Sequence, residues 1–208
     1  MKKGDSNEVF MIECEDLILR EYRIEDLDEL HNITWQPHFY EFLMDWNVSK
    51  EQREDWINNY EIPENKRFLN AVGKDGAIEQ LRLRLGIISK ETGKFIGVCG
   101  TGIMDKVHPP KREIYYGISK DHRNKGYTTQ AAKGLINYLF ENTITEELIA
   151  IAQIRNVPSI KVIQKCGFEF QNPIEINNRK YSYYRLSKNS WHNIQSRGCH
   201  GNDRELNV

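Results

Sequence analysis

The 208-residue chain has only four cysteines, Cys14, Cys99, Cys166 and Cys199, and no two of them form a CxxC pair. Nor do any two of its six histidines stand four apart, so the thiolate and imidazole sets of structural zinc are not encoded, and no metal is expected. No apolar run approaches the roughly 20 residues that cross a bilayer, and the opening MKKGDSNEVF is polar, unlike a secretory leader. The expectation is a soluble cytoplasmic protein with free thiols and no membrane partner. Charge has no dominant sign, with 29 Lys and Arg against 30 Asp and Glu. No overall positive field therefore draws in nucleic acid, and any phosphate recognition is local. GxxxxGK[ST] and GxGxxG are both missing, which disfavours a P-loop NTPase or a dinucleotide enzyme. There is no internal repeat and no low-complexity run.

What is present reads as a succession of strands and helices. With 39% hydrophobic residues, the chain is long enough for one well-buried core. LILREY (Leu17 to Tyr22) alternates apolar and charged residues, as a strand buried on one face does. IEDLDELHNI spaces Ile24, Leu27, Leu30 and Ile33 three apart, which predicts a helix whose acidic first turn complements its dipole. SKEQREDWINNY opens with Ser49 and has Gln52 three residues on, a capping pair for a second helix, and Pro63 predicts its end. Phe68 to Gln80 contains GKDGA, either a hairpin turn or an inserted loop. LRLGIIS and FIGVCGTGI flank ETGK and predict an antiparallel hairpin, with EIYYGIS (Glu113 to Ser119) as a third strand. A helix is expected from about Thr128 to Glu141, with Ala131, Leu135, Tyr138 and Leu139 on one face. ELIAIAQI then reads as a buried strand, SIKVIQKCGF as a short helix from Ser159 stopped by Gly167, and KYSYYRLS (Lys180 to Ser187) as the last strand. The pattern divides the chain into an N-terminal extension (1–15), one domain (16–190) and a loose polar tail (191–208).

RNKGYTTQAAKGLINYLF, Arg123 to Phe140, runs a cationic, glycine-bearing turn directly into an apolar-periodic helix. A strand leading into such a turn leaves backbone N–H groups unpaired at the helix start, aligned with the positive end of its dipole. Gly126 bares the backbone where a ligand would press against it, and Arg123 and Lys125 add local charge. A phosphate or pyrophosphate is the natural occupant. The plainer alternative is a basic surface turn.

Arg123-Asn124-Lys125-Gly126-Tyr127-Thr128 resembles the acetyl-CoA turn of the GNAT N-acetyltransferase superfamily, [RQ]-x-x-G-x-[GA], in its first four places. Thr128 stands where Gly or Ala is usual. NVPSIKVIQKCGF, Asn156 to Phe168, is similar to the segment after the family's fifth strand. LILREYRIEDLDEL, the Trp46 to Trp56 region and TGKFIGVCG resemble its ribosomal-protein alanine N-acetyltransferase (RimJ/RimL-like) subgroup, so the likeness runs from about Leu17 to Leu186. It implies an α+β (mixed α/β) fold, with helices flanking a mixed, mostly antiparallel sheet that splays between two parallel strands. EIYYGIS and ELIAIAQI would be those strands, with the pantetheine arm of acetyl-CoA between them on backbone groups of Ile118 and its neighbours. Arg123, Asn124, Lys125, Gly126, Tyr127 and Thr128 would hold the pyrophosphate, and Asn156 would bond the pantetheine arm or its thiol end. The subgroup is frequently homodimeric.

Acetyl transfer requires an unprotonated amine, a stabilised oxyanion and a proton for the departing thiolate. Lysine-like amines have a pKa of about 10.4 and α-amines about 8, so a peptide N-terminus is the easier acceptor. A polyamine, an aminoglycoside or another small amine stays open. Glu113, where relatives carry a carboxylate base, is the candidate base; the alternative is a solvated glutamate paired with Lys111 or Arg112. Backbone N–H groups of EIYYGI would polarise the thioester carbonyl. Many superfamily members place a tyrosine seven residues after the asparagine, and here that residue is Ile163. Ser159 is the nearest hydroxyl for acid or relay, or simply an N-cap. Cys166 reads as a small core residue, which favours direct attack in a ternary complex over a ping-pong thiol. Trp35, Phe39, Tyr40, Phe42 and Trp46 either line an acceptor groove or pack the core, and His122 either touches phosphate or is plain surface. Two non-enzymatic readings remain: a catalytically silent acyl-CoA sensor, and a phosphate-binding interaction surface.

Overall fold

The computed structural model describes residues 9–199. Eight strands form one sheet: β1 (Met11–Glu13), β2 (Leu17–Glu21), β3 (Leu83–Ser89), β4 (Phe95–Met104), β5 (Lys111–Ile118), β6 (Glu147–Gln153), β7 (Glu169–Ile176) and β8 (Arg179–Ser187). Their spatial order is β1-β2-β3-β4-β5-β6-β8-β7. Every neighbouring pair is antiparallel except β5 and β6, which run parallel and share a single register pair, Glu113 with Ile149. By contrast, β5 pairs with β4 along its whole length, from Gly97–Ile118 to Met104–Lys111. Beyond Glu113 the two parallel strands separate, and this splay organises the site.

The helices cover both faces. On one side, α5 (Tyr127–Asn142), α6 (Val157–Lys165) and α7 (Lys188–Cys199) surround a core that includes Leu17, Leu85, Leu135, Leu139 and Trp191. On the other, α1 (Leu27–Thr34), α2 (Pro37–Tyr40) and α3 (Lys50–Trp56), with Ile57 directly after it, pack Leu30, Ile33, Phe39 and Ile57 against Ile88, Phe95 and Val98. Phe39 reaches the sheet because Gly117 has no side chain: a Cβ there would stand 2.3 Å from the Phe39 ring.

Ser49 caps α3 as its spacing predicts, accepting the Gln52 N–H at 3.2 Å. Pro63, however, does not end this helix. The chain continues through a π-helical segment, Ile57–Glu61, into α4 (Ile62–Lys74), whose first turn contains Pro63. Proline lacks an N–H and crowds the carbonyl four residues before it, and the wider turn, in which the Ile62 N–H reaches Ile57 O, accommodates both defects. Phe68 to Lys74, within the stretch read as holding a hairpin turn or an inserted loop, is therefore helix, and Phe68 is fully buried. The loop after α4 is fastened by Arg112, whose guanidinium donates to Leu81 O at 3.1 Å and Glu79 O at 2.5 Å.

Three further differences from expectation have local causes. The helix expected from Ser159 begins at Val157, because Asn156 is the cap, accepting the Ser159 N–H at 3.3 Å. Strand β7 escapes the period-two reading because it lies at the sheet edge with most of its side chains exposed. The loose tail expected from Trp191 is helix α7 as far as Cys199: Trp191 is fully buried and donates through Nε1 to Asn137 Oδ1 at 3.3 Å. Met11–Glu13, within the expected N-terminal extension, is edge strand β1. Residues 1–8 and 200–208, the outer parts of the expected extension and tail, lie outside the described residues.

Candidate functional site

A cavity of about 1210 Å³ occupies the splay. Its wall brings together Glu113, Ile118, the Arg123 to Thr128 turn, Asn156 and Ser159. Two strands that part after one register pair leave backbone groups of the separated segment without a ladder partner, which is the opening the cavity uses.

At one end, Gly126 caps α5 with φ +79° and Asn124 stands at φ +62°, left-handed conformations that glycine adopts freely and asparagine tolerates. Space around Gly126 is open, with no atom within 4 Å of where a Cβ would stand, so the turn needs glycine for its φ rather than for clearance inside the protein. The Gln130 N–H closes the first helical turn on Gly126 O at 3.0 Å. The N–H groups of Tyr127, Thr128 and Thr129 precede that bond and point outward at the positive end of a 16-residue helix. Gln130 also anchors the helix start, donating to Asp16 Oδ2 at 2.6 Å and accepting the Asp16 N–H at 3.1 Å. Arg123 and Lys125 are exposed beside the turn. This end fits a pyrophosphate. His122 lines the same wall, and its Nδ1 has no hydrogen-bond partner.

Between the ends lies the last residue of β5. Ile118 O contacts His38 Nε2 at 3.1 Å, and the neighbouring Lys120 N–H donates to Gln36 Oε1 at 2.8 Å. The segment leading into α2 thus leans over the strand end. Asn156 spends its side-chain oxygen on the α6 cap, and Ser159 meets Tyr116: the phenol oxygen is 3.1 Å from Ser159 O and 3.3 Å from Ser159 Oγ.

The far end belongs to Glu113. Lys111 pairs with Glu147 at 3.0 Å and Arg112 with backbone carbonyls, so neither partner of the alternative reading holds Glu113. Burial pushes its carboxyl up to about 7, opposed by the nearby Arg82 guanidinium. The same cavity wall carries Phe39, Phe42 and Trp46 from the predicted aromatic set, joined by Trp56, Tyr60 and Tyr115. Trp35 and Tyr40 are not on this wall, and Trp35 is 48% exposed, with Nε1 donating to Val48 O at 2.8 Å. A charged layer supports the aromatics: Arg53 reaches Glu61 at 3.4 Å, and Arg84 lies 3.8 Å from Glu61 and 2.6 Å from Glu64. Tyr60 and Glu61 belong to the π segment, whose widened turn the sequence signals only through Pro63. Tyr116 and His38 escape a sequence reading because nothing in the spacing aligns them with the splay. Cys166 is buried, and desolvation pushes its thiol up to about 12 against the opposing charge of Lys133, as in a core residue.

A turn with unpaired N–H groups at a helix start, a splayed pair of parallel strands and a buried carboxylate thus line one cavity. The Acetyltransferase (GNAT) domain family matches residues 16–169, and the chain belongs to that family of acetyltransferases, which use acetyl-CoA. Among particular relatives, it is 28% identical to the uncharacterized N-acetyltransferase p20 of Bacillus licheniformis over 159 residues, 74% of this chain and 80% of that protein. A GNAT-family acetyltransferase from Bacillus anthracis superposes with a TM-score of 0.66 at 19% identity, covering 86% of this chain and 99% of the other. The ribosomal-protein alpha-N-acetyltransferase RimL, solved in complex with coenzyme A, superposes with a TM-score of 0.67 at 14% identity, covering 86% and 98%. These two structures share the fold.

Proposed function

We propose that the chain transfers the acetyl group of acetyl-CoA to the N-terminal α-amine of a protein or peptide, by direct attack within a ternary complex. One observation carries this reading: a single cavity has the Arg123 to Thr128 turn on one wall, Glu113 on another, and the splay of β5 and β6 between them. In this reading the N–H groups of Tyr127, Thr128 and Thr129, with Arg123 and Lys125, hold the pyrophosphate. Asn124 and Gly126 shape the turn. Backbone groups near Ile118 take the pantetheine arm, Asn156 borders its thiol end, and β5 N–H groups polarise the thioester carbonyl. Residues 16–190 form the one catalytic domain.

Glu113 is the base, directly or through a water. A carboxylate near 7 is matched to an α-amine near 8: moving that proton costs about 1 kcal/mol, against about 5 kcal/mol for a lysine-like amine. This difference favours a peptide N-terminus over a polyamine. Placement in the RimJ/RimL-like subgroup is part of the proposal and rests on LILREYRIEDLDEL and TGKFIGVCG. Ser159 supplies a hydrogen bond to the departing thiolate, in place of the tyrosine absent at Ile163.

The test is calorimetric titration with acetyl-CoA, with ATP as control, followed by thiol release on peptides with free N-termini, spermidine and kanamycin. CoA-selective binding with release on the peptides is expected. Release on the small amines alone would move the acceptor to that class, and binding without release on any amine would make the protein an acyl-CoA sensor.

A further inference from the structure

We propose that Tyr116 is a positioning residue for the acyl-transfer step: its hydroxyl fixes the direction in which the Ser159 hydroxyl donates toward the sulfur of the departing CoA. The inference rests on the reading of the cavity as an acetyl-CoA site. Tyr116 projects from β5 toward α6, and its ring packs against the core beneath α5 and α6. Its hydroxyl ends between two acceptors that belong to one residue, Ser159 O at 3.1 Å and Ser159 Oγ at 3.3 Å.

A phenol has one proton to give, so the two acceptors compete. With the proton on Ser159 O, the phenol oxygen is free to accept from Ser159 Oγ, and the serine proton points away from the cavity. With the proton on Ser159 Oγ, the serine must send its own proton elsewhere, and the cavity is the open direction. Both residues line that cavity beside Asn156, whose side chain holds the Ser159 backbone N–H and so fixes the first turn of α6. Donation by the phenol to Ser159 Oγ is thus the arrangement that turns the serine proton into the cavity.

Burial raises the Tyr116 phenol far above its ordinary value, so it stays protonated at any working pH and acts as a donor of hydrogen bonds, not of protons. The step balances accordingly. The amine nitrogen bonds to the thioester carbon, and the C–S bond breaks with its electron pair on sulfur. Glu113 receives the amine proton and returns it to solvent, and the thiolate, stabilised meanwhile by Ser159 Oγ–H, takes its proton from solvent. A hydrogen bond to a charged group is a strong one, so its loss slows the step by about ten- to a hundredfold.

The experiment measures acetyl-CoA affinity by calorimetry and kcat by thiol release, on the amine that wild type accepts, for Tyr116→Phe, Ser159→Ala, the double variant and Ser159→Thr. Tyr116→Phe and Ser159→Ala should each lower kcat about ten- to a hundredfold while acetyl-CoA affinity stays within about twofold. The double variant should be no slower than the slower single, because the tyrosine acts only through the serine. Ser159→Thr, which keeps a hydroxyl, should retain most of the wild-type rate. Multiplicative losses in the double variant, or an unchanged kcat in Tyr116→Phe, would overturn the assignment, as would weakened acetyl-CoA binding as the sole effect. A wild type that binds acetyl-CoA but releases thiol with no amine would fail the parent reading instead, and the positioning role with it.

Discussion

Gly126 and Glu113 stand on separate walls of the one cavity. Gly126→Glu forces a side chain into φ +79° and puts a negative charge where a pyrophosphate is expected, so acetyl-CoA affinity should fall at least tenfold in calorimetry while circular dichroism shows the fold intact. Unchanged affinity would remove the turn from the site. For Glu113, a base must be unprotonated to act, so kcat/KM of wild type should rise with pH through a limb near 7. Glu113→Gln should lose this limb and about a hundredfold or more in kcat/KM. The same group bears on stability with a definite sign. Its folded pKa is raised from 4.5 to about 7, so its contribution is fully present below 4.5 and is lost as pH rises through 7. Glu113→Gln should flatten that fall in thermal denaturation curves recorded across the window. At this scale the turn was legible, because a glycine with positive φ before an apolar-periodic helix leaves a local signature. Tyr116, Tyr115 and His38 were not, since they meet the cavity only through strand register and a helix that folds over from far earlier in the chain.

The elements show where periodicity informs and where it fails. Strands β2 to β6 were readable because one or both faces are buried, and α5 because its apolar face is long. The π segment was not, since Pro63 ordinarily ends a helix and here the wider turn absorbs it. Helix α7 leaves no apolar period in the sequence because a single tryptophan does its anchoring. Trp191→Ala should therefore cost about 3–5 kcal/mol in urea denaturation, and a loss under about 1 kcal/mol would mean that α7 contributes little. Gly117→Ala tests the opposite face. The added methyl would press into Phe39, so a loss of about 1–3 kcal/mol is expected, and Phe39→Leu in the same chain should recover part of it by making room.

For the molecule as a whole, the decisive feature is that two parallel strands hold together at one residue pair and then part, so that one opening joins both helical layers. The order of strands and helices was legible as a pattern matching the GNAT family, while the acceptor end was not, because its wall is assembled from α2, α3, the π segment and β5 together. The Cys166 thiol is buried and raised by desolvation, so Cys166→Ala should keep the rate within about twofold if acetyl passes directly between substrates. Transfer to an N-terminal amine is tested most directly by thiol release from acetyl-CoA with a peptide bearing a free N-terminal alanine, set beside the same peptide with that amine blocked. Transfer to the α-amine predicts release that equals acetylation of that amine and vanishes when it is blocked. Release indifferent to the block, or no release with either peptide, would contradict it.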